Sequence, residues 1–284
     1  MEIITSRSNP AVMAAVKLAD KKYRDAARLF MFEGVKLLSE ALGAGADIAE
    51  VYFTEDAYGK YYPSYSDALG VCGAHIRVLS QSVYEKLSLE KSPQGVLCCA
   101  KYLDNFHKRI TIYNIVGKNE AGKRIFALES LRDPGNLGTI MRTAAALGCD
   151  MLLLSDDCAD IYNPKTIRAA MGAVFRLPTV RVSDLPASLK ALSDIGYVTY
   201  AAALHKDAVS IRDISRRPQN LFVVGNEGHG LSDAVIAACS HTAVIPMADT
   251  SESLNAAAAA SILLWEGTGD ASDCGETLAT KDRS

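Results

Sequence analysis

Three segments in the second half of the 284-residue chain bring together residue types that can do chemistry. In Asp133-Pro134-Gly135-Asn136-Leu137-Gly138-Thr139-Ile140-Met141-Arg142, the pair Pro134-Gly135 and Asn136 sets the start of a helix. From there Asn136 and Arg142 can reach one cleft mouth. A guanidinium offers a planar, two-pronged donor suited to a phosphate; the plainer reading is a surface arginine paired with a nearby acid. In Val224-Gly225-Asn226-Glu227-Gly228-His229-Gly230-Leu231, glycines stand first, fourth and sixth after the strand end. This is not the G-x-G-x-x-G of dinucleotide sites, and no Gly-Lys-Ser/Thr follows it, so nucleotide-phosphate cradling and a nicotinamide oxidoreductase are both disfavoured. Such glycines imply a sharp turn and a close backbone approach, or only a tight connection. The third segment is Ile245-Pro246-Met247 followed by Ser253-Leu254-Asn255, which opens an alanine-rich helix. Its plainer reading is N-capping by Ser251 or Ser253.

These segments need strands and helices to hold them. From Arg124 to Trp265, short apolar strands (125–128, 151–154, 179–182, 198–203, 221–224, 242–245) alternate with helices (138–147, 164–171, 184–195, 232–238, 252–265). That alternation predicts a parallel sheet covered on both faces, with ligands at the carboxyl ends of its strands. All three segments fall at such ends. Residues 1–104 read as a separate α/β module: a helix from Pro10 to Asp20 capped by Asn9, a strand at 29–34, a helix at 35–44, and strands at 48–53, 76–79 and 96–102. Residues 105–122 read as a linker, 123–268 as the second domain, and 269–284 as a disordered acidic tail.

Composition bounds the function. The chain is 49% hydrophobic and 22% charged, with a net charge of −3, which suits one large or two ordinary domains. No apolar run is long enough to span a bilayer, and the start Met1-Glu2-Ile3-Ile4-Thr5-Ser6-Arg7 lacks a secretory pattern. A cytoplasmic location without membrane attachment is therefore expected. Seven cysteines without C-x-x-C spacing suit buried, reduced thiols and no metal site; adjacent Cys98 and Cys99 should point to opposite faces of a strand. Between Arg7 and Lys36, seven bases (Arg7, Lys17, Lys21, Lys22, Arg24, Arg28, Lys36) face three acids. They form a candidate RNA-binding stripe, or an ordinary solvated helix face.

In this order and spacing the motifs closely resemble those of the SpoU-type, or TrmH-like, RNA 2′-O-ribose methyltransferases. Asn136 to Arg142, Gly225 to Leu231, and Ile245-Pro246-Met247 with Glu252-Ser253-Leu254-Asn255 match the family's three signatures. Ser6-Arg7-Ser8-Asn9-Pro10 and Phe32-Glu33-Gly34 resemble its substrate-binding domain. The resemblance implies a C-terminal parallel-sheet α/β trefoil-knot methyltransferase domain with a smaller N-terminal α/β substrate-binding domain, the knot departing from the usual rule. It implies S-adenosylmethionine held by Leu204, Gly225, Asn226, Ile245, Pro246, Met247 and Leu254. Catalytic roles fall to Arg142, Asn136, Glu227, Ser253 and Asn255. It further implies a homodimer through the knotted domain, and structured RNA as substrate.

The implied reaction is an in-line displacement, in which alignment at roughly 3 to 3.5 Å can supply about 7 to 11 kcal/mol of the barrier. The family assigns activation of the hydroxyl to the residue matching Arg142. A guanidinium with a pKa above about 12 is a poor base at neutral pH, so Arg142 is expected to bind the adjacent phosphate and stabilise developing alkoxide. Asp249 stands where the family commonly has glycine, which bears on cofactor affinity. Ribosomal RNA, with guanosine as the target nucleoside, is the expected substrate; transfer RNA methylation and a non-catalytic RNA-binding or ribosome-assembly role are the alternatives.

Overall fold

A computed structural model describes residues 2–104, 116, 122–248 and 253–267. The expected linker and tail, and with them Asp249 and Glu252, lie almost wholly outside the described residues. Two compact units form: Met1–Phe106 with Asp160–Arg176, and His107–Ala159 with Leu177–Ser284.

The first unit opens with β1 (Ile3–Ile4) and α1 (Pro10–Lys17). Asn9 caps α1, its side chain accepting from Ala11 N, and Pro10 stands in the first turn, where a missing N–H costs nothing. This helix stops at Lys17, short of Asp20, because Asp20 caps a second helix, α2 (Lys21–Ala27), by accepting from Lys22 N at 2.9 Å. There follow β2 (Leu29–Glu33), α3 (Val35–Gly43), β3 (Ile48–Thr54), α4 (Glu55–Cys72), β4 (His75–Leu79), α5 (Gln81–Leu87) and β5 (Val96–Lys101). The five strands form one mixed sheet in the order β1-β4-β3-β5-β2. Val12, Leu79, Tyr84, Leu97 and Cys99 are buried together in its core. Cys98 is buried as well, and successive strand residues face opposite ways.

Asp160–Arg176 departs from the boundaries expected of the second domain, for it clusters with the first unit. Aromatic packing is the reason: the Phe30 ring lies 4.8 Å from Tyr162 and the Phe32 ring 5.2 Å from Phe175. Helix α7 (Pro164–Ala170), capped by Asn163, lies in this segment.

The second unit contains β6 (Ile125–Leu128), α6 (Pro134–Ala146), β7 (Met151–Ser155), β8 (Thr179–Val182), α8 (Leu185–Ser193), β9 (Val198–Ala202), β10 (Val209–Ser210), β11 (Asn220–Val224), α9 (Asp233–Ala238), β12 (His241–Val244) and α10 (Ala256–Gly267). Its sheet runs β10-β12-β9-β11-β6-β7-β8 with every pairing parallel. Strands β6 and β11 are buried along their whole length, as the uninterrupted apolar runs require. From β6 the chain moves outward through β7 to β8, then crosses to β9 and returns as β11 beside β6. That reversal makes the carboxyl ends of β6 and β11, where Leu128 pairs with Val224, the switch point at which such sheets bind ligands.

Candidate functional site

The loops leaving β6 and β11 are tied to each other before any functional side chain is placed. Ser130 takes a positive φ of 53°, unusual for a residue with a Cβ. Its N–H donates to Ser155 Oγ, its hydroxyl to Asp157, and its carbonyl accepts from Asn226 Nδ2 at 2.8 Å. Asp157 is held below the usual carboxylate range: its partial burial works the other way, and the Ser130 and Ser155 hydroxyls with the Arg132 charge outweigh it. Nothing in the sequence marks Ser130 as part of the site.

Asp133 caps α6, its Oδ1 accepting from Asn136 N at 2.7 Å, which fixes where the Asn136 side chain leaves the helix. Beyond β11, Asn226 and Gly230 exchange two backbone hydrogen bonds of 3.0 and 2.9 Å, and Asn226 Oδ1 accepts from Gly228 N and His229 N. The loop is so tight that a Cβ on Gly225 would lie 2.3 Å from the Gly230 carbonyl. Only glycine fits there.

Helix α10 is capped by Asn255, whose Oδ1 accepts from Ala257 N at 2.9 Å and Ala258 N at 3.3 Å. The sequence offered Ser251 or Ser253 for that task; Ser251 lies outside the described residues, and the cap observed is Asn255. The Asn255 amide is thereby aimed inward, and its Nδ2 donates to Asn136 Oδ1 at 3.1 Å. Asn136 Nδ2 in turn donates to Glu227 Oε1 at 2.8 Å. Three residues far apart in sequence, one in the first turn of α6, one in the loop after β11 and one capping α10, thus form one chain of hydrogen bonds ending on a carboxylate.

Beside this chain lies a cleft of about 640 Å³, in the range of small-molecule sites. Leu204, Gly225, Asn226, Ile245, Met247 and Leu254 line it, joined by Glu227 and Ser253. Pro246 is exposed and is not among the lining residues. Arg142 is also outside the lining and outside the hydrogen-bonded chain; it is exposed, and among the described residues no acid pairs with it. The small residues Ala202, Ala203, Ala243 and Ala259 also line the cleft, marked in the sequence only by their places near strand ends and on a helix, and His229 joins them from the segment after β11.

The basic stripe divides. Arg24 is 1% exposed, donating to the Leu18 and Ala19 carbonyls and pairing with Asp160 at 2.7 Å. It is a structural residue, so its place in an RNA-binding stripe is corrected. Lys21 pairs with Asp25, Arg28 pairs with Asp104 and lies over the Tyr102 ring, Lys17 lies 5.5 Å from the Tyr23 ring centre, and Arg7 donates to the Ser82 carbonyl. Lys22 and Lys36 are exposed. Among the described residues no group of His, Cys, Asp or Glu could hold a metal ion, and no helix is long and apolar enough to cross a membrane.

The SpoU rRNA methylase family matches residues 123–265, and an MRM3-like substrate binding domain matches residues 9–98. The chain is 30% identical over 265 residues to the 23S rRNA (guanosine(2553)-2′-O)-methyltransferase RlmP of Bacillus subtilis, covering 93% of this chain and 98% of that protein. It is 32% identical over 263 residues to an uncharacterized tRNA/rRNA methyltransferase of Synechocystis, covering 93% and 92%. The crystal structure of an AdoMet-bound rRNA methyltransferase from Sinorhizobium meliloti matches with a TM-score of 0.81 at 30% identity, covering 93% of this chain and 96% of that one. The chain belongs to the SpoU rRNA methylase family.

Proposed function

We propose that this SpoU-family, S-adenosylmethionine-dependent RNA methyltransferase modifies a ribose 2′-hydroxyl of structured ribosomal RNA, with guanosine as the target nucleoside. The observation that carries the reading is the Asn255–Asn136–Glu227 chain at the mouth of the cleft after β11. The choice of guanosine leans on the specificity that the Bacillus subtilis relative's name records.

The cleft suits the cofactor's chemistry. Leu204 and Leu254 are left 68% and 37% exposed at its wall, apolar surface that a planar adenine would cover. Gly225, Asn226, Ile245 and Met247 would hold the rest of the molecule. When bound, S-adenosylmethionine supplies an electrophilic methyl on a sulfonium centre. The chain's own groups have two tasks, aligning the hydroxyl and absorbing its charge as it attacks. Asn136, fixed at both ends of its amide, orients Glu227, and Ser253 lines the same cleft as Glu227. The Arg142 guanidinium, to which no acid pairs among the described residues, takes the neighbouring RNA phosphate and steadies the developing alkoxide.

Arg7, Lys17, Lys21, Lys22, Arg28 and Lys36 give the first unit its RNA-facing charge, without Arg24. A trefoil knot in the second unit, a homodimer through it and a cytoplasmic location complete the reading.

Transfer of radiolabelled methyl from S-adenosylmethionine to total RNA of a strain lacking the protein tests it. Label mapping to one guanosine of ribosomal RNA, and lost with Arg142→Ala, is the expected result. Cofactor binding without transfer to any RNA would overturn the enzymatic reading in favour of an RNA-binding role. Should Arg142→Lys keep most of the single-turnover rate, two-pronged phosphate recognition is not essential.

A further inference from the structure

The segment Phe32-Glu33-Gly34, outside the methyl-transfer cleft, borders a second cavity of about 340 Å³ that lies wholly within the first unit. That volume is in the range of small-molecule sites. Met31, Leu37, Leu87, Leu89, Ile167 and Met171 give it apolar walls, and Leu89 is left 51% exposed there.

Into this apolar frame the chain sets a few polar groups. Glu33 ends β2 with its carboxylate held in place. Tyr84 Oη donates to Oε1 at 2.9 Å, the Ser88 hydroxyl shares its one proton between the two oxygens at 2.8 and 3.0 Å, and Leu89 N stands 3.4 Å from Oε2. Oε2 therefore has acceptor capacity to spare. Burial pushes the Glu33 pKa up from its ordinary value, against those hydrogen bonds, so the charged form gains from any further donor. Gly34 follows at φ +106°, and a Cβ on it would lie 3.2 Å from Gln94 Oε1, so the Gln94 head group sits against the backbone next to Glu33. That oxygen accepts from Val35 N at 3.0 Å, which leaves the Nε2 protons without a partner among the described residues. An acceptor and a donor are thus neighbours in the lining. Lys36 lines the cavity too; it is exposed and pairs with no acid among the described residues. It belongs both to the basic stripe and to this lining, so a nucleotide's phosphate has a cation at hand.

Apolar walls with a few polar groups suit a flat heterocycle, and the carboxylate selects its edge. Of the four RNA bases only guanine presents two adjacent N–H donors, N1–H and N2–H, with the O6 acceptor beside them. We infer that this cavity takes an unpaired guanine base of the RNA substrate, with N1–H and N2–H donating to Glu33 and O6 accepting from Gln94. The first unit then grips the RNA by one base as well as by charge, in the way unpaired bases are read by sequence-specific RNA binders. That the guanine belongs to RNA rests on the methyl-transfer reading above.

Two methionines that line this cavity, Met31 and Met171, and one that lines the cofactor cleft, Met247, make the test direct. Full-length protein carrying carbon-13 methionine methyl groups, its cleft filled with S-adenosylmethionine, is titrated with GMP, IMP and UMP and followed by NMR. GMP is expected to shift the Met31 and Met171 methyl resonances and to leave that of Met247 in place. IMP, which lacks the N2 amino group, should bind about tenfold more weakly, and UMP should shift neither. In Glu33→Gln the preference for GMP over IMP should shrink to within about threefold. With the RNA identified above, the same variant should raise KM for RNA about tenfold and leave kcat within about twofold of wild type. GMP that moves neither Met31 nor Met171, or UMP that binds as well as GMP, overturns the assignment on wild type alone, whatever the variant's folding. So does a Glu33→Gln protein that keeps the wild-type preference, for its carboxylate would then only brace the end of α5. A wild type that methylates no RNA sinks the methyl-transfer reading, while the titration still decides whether the cavity takes guanine.

Discussion

In the first unit seven bases crowd between Arg7 and Lys36, and the fold sends them to unlike ends: Arg24 is buried on Asp160, Lys21 and Arg28 are paired with acids, and Lys22 and Lys36 meet solvent. In the second unit the reverse holds. Asn136 meets Glu227 from 91 residues away and Asn255 from 119, and all three serve one cleft. Density of charge along a chain says little about which charge stays available, since burial and pairing are decided by partners such as Asp160 and Asp104 far along the sequence. Spacing of uncharged amides and glycines at strand ends says more, because each such residue has few other reasons to be there.

Four substitutions break or sharpen that contrast, in order of expected effect. Arg24→Leu leaves Asp160 without its partner in a site where the pair is 2% and 15% exposed, and should cost about 3 to 5 kcal/mol of stability. Denaturant midpoints measure it, and an unchanged midpoint would return Arg24 to the RNA stripe. Gly225→Ala forces the motif loop away from the Gly230 carbonyl; a displacement near 1 Å should slow methyl transfer about 100-fold, with the melting temperature changed far less than by Arg24→Leu. Asn136→Ala strips one partner each from Glu227 and Asn255, worth about 1 to 3 kcal/mol, read as a fall in kcat/KM of methyl transfer. Lys22→Ala is the mildest: RNA affinity should drop modestly and the slope of log K against log salt should fall by about one. A slope identical to wild type would leave this end of the stripe a plain solvated surface.

The parallel sheet was legible because β6, β7 and β11 are uninterrupted apolar runs between helix signals, and the cleft was legible because its residues sit where those strands end. Less legible were elements whose local pattern is weak. Helix α4 contains Pro63 and shows little apolar periodicity, so nothing in its residues announced eighteen helical positions. Helix α2 is seven residues long and was hidden by the charges read as a stripe. Strand β10, two residues long, exists through its pairing with β12 alone. At the site, Asn136, Glu227 and Asn255 carried a motif signal, whereas Ser130 did not: what distinguishes it is a backbone angle, a property of the folded chain. Arg24 was misread for the same reason, its partner lying 136 residues away.

Asn255 performs two duties with one side chain: its oxygen holds the first free N–H groups of α10, and its nitrogen holds Asn136. Fraying of that helix end and dissolution of the Asn136–Glu227 contact are therefore the same microscopic opening. Hydrogen exchange at the Ala257 and Ala258 amides becomes a clock for the readiness of the site, slowing when the cleft is filled and quickening when Asn136 is replaced, without any reaction being run.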